Sequence, residues 1–229
     1  MNNKYVYNDK IVTRLAFYFL GLYILTLGIA FSIKANLGVS PVTSVAYAMT
    51  CIWGIDIGIA TTIFQSVLVV IQIILLLKDF KWINCMQIVV GTLLGSLTSV
   101  NVNILGYLPM ATTWWLQIIY LLTSLVLMSF GIYMYVNAGI MHLPIEGFTL
   151  TIATLTKKEF HKVKIAVDCT MVILAGSICL IFIRKFGSVG VGTLFIALCQ
   201  GLMIGLWGKL LKKFKQKLLT PELQEINAN

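Results

Sequence analysis

Asn36-Leu37-Gly38-Val39-Ser40-Pro41-Val42-Thr43-Ser44 is a polar, helix-breaking interruption in a chain that is otherwise almost continuously apolar. Proline has no N–H for a helix interior but suits the first turn of a new helix. One helix therefore stops before Pro41 and another begins there. The interruption has an echo: an offset of 103 carries Pro41 onto Pro144, within Asn137-Ala138-Gly139-Ile140-Met141-His142-Leu143-Pro144-Ile145-Glu146-Gly147, and carries Gly28 onto Gly131. An offset of 101 carries Gly91-Thr92-Leu93 onto Gly192-Thr193-Leu194. The chain has only four prolines, so the matched pair carries most of the weight, and the pattern reads as an internal duplication.

Outside the two breaks, 59% of the 229 residues are hydrophobic and 11% are charged, with a mean hydropathy of +0.94. Uninterrupted apolar runs reach bilayer-spanning length, which sets the class as an integral membrane protein. The net charge of +9 does not point to nucleic acid. Its basic residues sit at the ends of apolar runs and in the tail, as membrane topology requires. Cys51, Cys85, Cys169, Cys179 and Cys199 stand alone in apolar stretches, so neither a metal site nor a redox pair is expected, and no cofactor is implied. The apolar run after the short polar amino end is too long for a signal-peptide core and reads as a retained first span.

In order, spans are expected at about 11–33, 58–77, 83–104, 114–136, 163–183 and 189–206, with shorter segments at 40–56 and 143–156 following the first and fourth. Trp114-Trp115 marks a headgroup interface. With six spans and both termini cytoplasmic, fourteen Lys and Arg lie inside and Lys34, Arg184 and Lys185 lie outside. Letting the short segments cross as well moves Lys78 and Lys81 outside and weakens the bias, so six spans fit better.

Three spans per copy force the second copy to enter the membrane in the opposite sense. The expected fold is an all-α polytopic bundle of two inverted three-helix repeats, 1–106 and 107–208, each with a broken or re-entrant short helix after its first span, and a basic cytoplasmic tail at 209–229. Interrupted helices in corresponding places are the sequence pointer to a transporter's binding site. The alternative is that both short segments lie flat at opposite interfaces as amphipathic connectors.

The breaks suggest chemistry. Ser40 is placed to cap the helix begun by Pro41, and Thr43 and Ser44 put hydroxyls in a first turn whose N–H groups and dipole attract negative charge. Asn36 and Pro144 complete a candidate substrate site with Glu146, which falls where Thr43 does in the first copy. Glu146 serves a capping role or, as a costly ionisable group at membrane depth, marks an ion or proton path; the same choice holds for Asp168, which matches Gln65. Lys34 is expected to snorkel and His142 to sit at an interface. Gly91 with Gly95 and Gly201 with Gly205 form GxxxG pairs suited to close helix packing, and Gln87, Asn101, Asn103 and Gln200 either line a cavity or bond across helices.

The break at 36–44, the glycine-bearing first span, Gly91-Thr92-Leu93-Leu94-Gly95 and six spans in this length together resemble the YczE/YyaS/YitT family of bacterial integral membrane proteins. The second copy departs from that pattern, with His142-Leu143-Pro144 at the break. The resemblance implies a bacterial plasma-membrane setting. The expected partners are the lipid bilayer and a small-molecule solute, with a homodimer left open. The expected activity is secondary transport of a small polar or anionic solute, with Glu146 or Asp168 coupling protons. A channel with paired half-helices and a membrane scaffold for another enzyme are the alternatives. An enzyme is not expected, because no nucleophile and base stand poised together.

Overall fold

The computed structural model describes residues 6–77, 80–185 and 187–212, with side-chain environments from residue 11 onward except that of residue 161. Lys4, Lys78, Asp79 and the tail beyond residue 212 lie outside the described residues, as does the side chain of His161. Eight α-helices account for most of the described chain: α1 (Val6–Ala35), α2 (Pro41–Trp53), α3 (Ile57–Leu76), α4 (Met86–Ile104), α5 (Trp114–Ala138), α6 (Pro144–Thr156), α7 (Phe160–Ile183) and α8 (Val191–Leu210). Among the described residues there are no strands. Six of the helices, all but α2 and α6, are long and apolar enough to cross a membrane. Many of their large apolar side chains face outward, as they do when the surrounding solvent is hydrocarbon.

Helix ends follow local chemistry. Asn36 takes a left-handed conformation, φ 53°, and ends α1. Gly54 and Gly139, at φ 65° and 61°, terminate α2 and α5, each returning its N–H to a carbonyl of the last turn. Asp56 caps α3 by accepting from the N–H groups of Gly58 at 2.9 Å and Ile59 at 3.3 Å. Both short helices are 13 residues long and begin with proline.

The bundle is organised around α1 crossing α5. A Cβ placed on Gly28 would lie 2.7 Å from the Met128 nitrogen, and one on Gly131 would lie 2.7 Å from the Gly21 carbonyl oxygen. The two backbones thus meet at glycines, Gly21 against Gly131 with no side chain on either helix and Gly28 against Met128 with none on α1. Around this pair, α2 packs on α7 and α6 on α3, while α4 flanks α1 and α8 flanks α5. One pairing breaks the pattern: α3 and α4 pack closely along their length, whereas α7 and α8 do not. The close pair depends on Gly58 and Gly95, where an added Cβ on either would collide with the other's backbone.

The glycine pairs therefore differ in role. Gly95 packs on α3, and Gly91 faces Gln65 and Pro144. Gly201 and Gly205, expected from their spacing to mediate packing, sit on an open face of α8, where a Cβ added to either would meet nothing within 4 Å. Spacing alone cannot say whether a partner helix is present.

Candidate functional site

The two breaks are held differently. At the first, Gly38 takes φ 95° and its backbone lies against Gly190. The Val39 N–H donates to the Ser188 carbonyl at 3.1 Å, and the Gly192 N–H donates to the Leu37 carbonyl at 2.8 Å. These bonds tie the break to the start of α8. The side chains of Ser40, Thr43 and Ser44 are buried. Ser40 occupies the N-cap position, but its hydroxyl pairs with the Thr43 hydroxyl at 2.9 Å instead of a backbone N–H. Thr43 donates to the Ser40 carbonyl at 3.1 Å, and Ser44 to the Pro41 carbonyl at 2.7 Å. Ser44 also lies 3.4 Å from the Met171 carbonyl, level with the middle of α7.

At the second break, Arg14 donates from Nε to the Ala138 carbonyl at 2.9 Å and from Nη2 to the Gly139 carbonyl at 3.1 Å, covering the end of α5. Tyr18 donates to the Met141 carbonyl at 3.2 Å. On the far side, the Gln72 amide donates to the Pro144 carbonyl at 3.1 Å and to Gln87 Oε1 at 3.2 Å, and Gly147 leaves room for both glutamines. The freed backbone of the break is thereby satisfied by protein groups, as its burial requires.

A cavity of about 610 Å³ lies between these two supports. Its walls carry Ser40 and Thr43 from α2 and its approach, and His142 and Glu146 from the second break and α6. Asp168 and Lys164 contribute from α7. Most of the remaining lining is apolar, supplied by residues such as Leu25, Ile29, Phe64, Met128 and Ile145.

Glu146 anchors the polar end. Tyr135, almost wholly buried on α5, donates its hydroxyl to Glu146 Oε1, and His142 Nδ1 stands 4.0 Å from Oε2. Lys164 donates to Asp168, forming an ion pair one helical turn apart. Thr61 and Gln65 of α3, also on the cavity wall, are buried, and Thr61 Oγ1 and Gln65 Oε1 have no hydrogen-bond partner among the described residues. Buried polar atoms without partners are uncommon and call for an explanation.

Of the candidate residues, Ser40, Thr43, Glu146 and Asp168 come together on one cavity. Pro41, Ser44 and Pro144 stand behind its wall, shaping the breaks, and Asn36 is an exposed turn residue away from it. Lys34 donates to the Leu108 carbonyl at 3.0 Å at the α4–α5 connection. Gln87 and Asn101 bond across helices, the latter to Thr26 at 2.8 Å, while Gln200 lines the cavity. Tyr135, Thr61 and Lys164 are not marked by the breaks. The spacing of Lys164 and Asp168 is a usable signal; for Tyr135 there is none short of knowing how α5 and α6 fold together.

Two curated proteins of Bacillus subtilis (strain 168) are similar over most of their length. "Uncharacterized membrane protein YczE" is 26% identical over 199 residues, covering 86% of each chain. "Uncharacterized protein YyaS" is 25% identical over 192 residues, covering 82% of this chain and 88% of its own. No solved structure matches. A family of unknown function, DUF6198, matches residues 12–209, which include every helix that bounds the cavity. Six long apolar helices and that match agree: the chain is a multi-pass membrane protein belonging to the DUF6198 family, with YczE and YyaS among its relatives.

Proposed function

We propose that the protein is a secondary transporter that carries a small polar solute across the bacterial plasma membrane by alternating access, with Glu146 and Asp168 as the proton-coupling groups. The observation that carries this reading is the single cavity lined from both helix breaks, by Ser40 and Thr43 on one side and by His142 and Glu146 on the other. Two interrupted helices meeting at one site are the arrangement from which inverted-repeat carriers work. The exchangeable pairings of α2 with α7 and of α6 with α3 support two inverted halves, and the contact of Ser44 with mid-α7 supports short helices that dip inward.

Solute chemistry follows from which groups are free. The hydroxyls of Thr43 and Ser44 already donate within their own turn, so the anion affinity expected of that helix start is weakened. The charged end of the cavity holds two carboxylates and one ammonium. A carboxylate held at such a site changes its proton occupancy with the solute beside it, which is the elementary step of coupled transport.

A carrier is favoured over the channel reading because the backbone bonds of Val39 and Gly192 fasten the first break to α8, while His142, on the cavity wall at the second break, is exposed. With the amino terminus cytoplasmic, that is an inward-open arrangement.

Uptake into proteoliposomes tests the reading. Flux should saturate with solute and respond to an imposed pH gradient, and Glu146→Gln should abolish the response while leaving the Tyr135 hydrogen bond. Flux that never saturates supports a channel. Absence of flux for any solute, together with a stable co-purifying membrane enzyme, supports a scaffold.

A further inference from the structure

The gap between α7 and α8 and the unpartnered atoms of α3 concern the same cavity. Residues of both outer helices line it: Phe160, Lys164 and Ile165 from α7, and Ala197, Gln200 and Gly201 from α8. These two helices do not pack on each other, although their counterparts α3 and α4 do. Ile165, on the cavity wall, is 62% exposed, and Leu198 and Leu202, next in sequence to the wall residues Ala197 and Gly201, are each 76% exposed, so the outer surface beside the gap is apolar. An added Cβ on Gly201 would meet nothing within 4 Å. In a membrane, this side of the cavity faces acyl chains instead of water.

The inner end has a complementary bias. Gln65 Oε1 can only accept hydrogen bonds and receives none from the described residues, and Thr61 Oγ1, one turn before it on α3, is likewise without a partner among them. Gln65 Cβ and the Pro144 ring flank the same glycine, Gly91, so the Gln65 side chain leaves α3 beside the first turn of α6, and Gln65, Thr61 and Glu146 all line the cavity. Lys164 is committed to Asp168. Glu146 receives a hydroxyl from Tyr135 and has the exposed His142 at 4.0 Å as a further basic neighbour. The polar end is thus rich in acceptors and short of cations, and the rest of the cavity is apolar.

Resting on the transport reading above, we infer that the solute is an amphiphilic organic ammonium that enters from the bilayer between α7 and α8, its N–H groups toward Glu146, Gln65 and Thr61 and its hydrocarbon body along α8. An ammonium supplies N–H groups to the unpartnered oxygens of Gln65 and Thr61 and a counter-charge to Glu146. A hydrocarbon body accounts for the apolar remainder, and a lateral gap admits it without passage through water.

The test is equilibrium binding of labelled octylammonium to the full chain in nanodiscs of zwitterionic lipid, with empty nanodiscs subtracted and with octanoate and methylammonium as comparison probes. Octylammonium should bind saturably, and octanoate and methylammonium at least tenfold more weakly. Glu146→Gln should weaken octylammonium at least tenfold and Gln65→Leu several-fold, and Gly201→Trp, which narrows the gap from an open position, should slow association. Thermal unfolding of each variant identifies any that fail to fold, and the isosteric Thr61→Val then stands in for it at the acceptor end.

Equal binding of octanoate, or of methylammonium, would overturn the inference, as would efficient disulfide cross-linking of Leu198→Cys between two copies, since that would place a second chain over the gap. If octylammonium does not bind but a water-soluble solute shows saturable uptake lost in Glu146→Gln, the amphiphile fails and the carrier stands. If no solute moves and none binds, the carrier reading itself fails.

Discussion

Arg14 and Glu146 illustrate what one side chain does at a helix break. Arg14 places a fixed, charged fork over the last carbonyls of α5, where cations are favoured and acceptors lack partners. Arg14→Ala should lower stability by about 1–3 kcal/mol, the usual range for hydrogen bonds to a charged group. Thermal unfolding in detergent should show the loss, with Arg14→Lys recovering part of it because one of the two bonds can be remade. Glu146 depends on Tyr135 in a similar way. Tyr135→Phe removes the donor to a largely buried carboxylate, so coupled uptake should fall about tenfold and stability by about 1–3 kcal/mol, read as a lower unfolding temperature in detergent. Glu146 is legible from its place in the first turn after Pro144. Tyr135 is not, because it lies on the preceding helix and reaches the carboxylate only after the chain reverses at Gly139.

At the scale of elements, two glycine patterns with the same spacing have opposite surroundings. On α4, Gly95 meets Gly58 backbone to backbone; on α8, Gly201 meets open space. Gly95→Ala forces backbone against backbone and should cost about 1–3 kcal/mol, the range for overpacking a tight interface. Gly201→Ala should be neutral or stabilising by up to about 1 kcal/mol, since alanine is the better helix former. Unfolding temperatures of the two variants in the same detergent check the contrast, and similar losses for both would mean that α8 has a partner helix. The short helices show the same division of information. Their starts at Pro41 and Pro144 are dictated by proline, and their ends at Trp53 and Thr156 by following residues that take left-handed conformations. Their packing partners, α7 and α3, become visible only once the bundle forms.

For the whole molecule, the distribution of Lys and Arg predicts which side of the bundle faces the cytoplasm. With native cysteines replaced, a cysteine at Lys158 should react with an impermeant reagent only in inverted vesicles, and one at the highly exposed Tyr107 only from the outer face of intact cells. The reverse pattern would invert the topology and with it the side to which the cavity opens. At this scale the packing is also uneven: α3 closes on α4 while α7 stands apart from α8, and the first break is fastened to α8. Under the proposed alternating-access cycle, α7 and α8 would close as α3 and α4 part.

The order of residues is enough to set the membrane class, the number and near-limits of the long helices, and the two breaks with their spacing. Each of these follows from properties carried along the chain: apolar length, the missing N–H of proline, and the position of charge. Only in the folded bundle do Thr61, Gln65, Glu146, Lys164 and Asp168 gather with Tyr135 on one cavity, and only there do α7 and α8 part around it. Those relations join residues from different helices, and in a lipid-facing bundle they are set by which small residues let backbones approach, a property of pairs of surfaces that no single stretch of sequence contains.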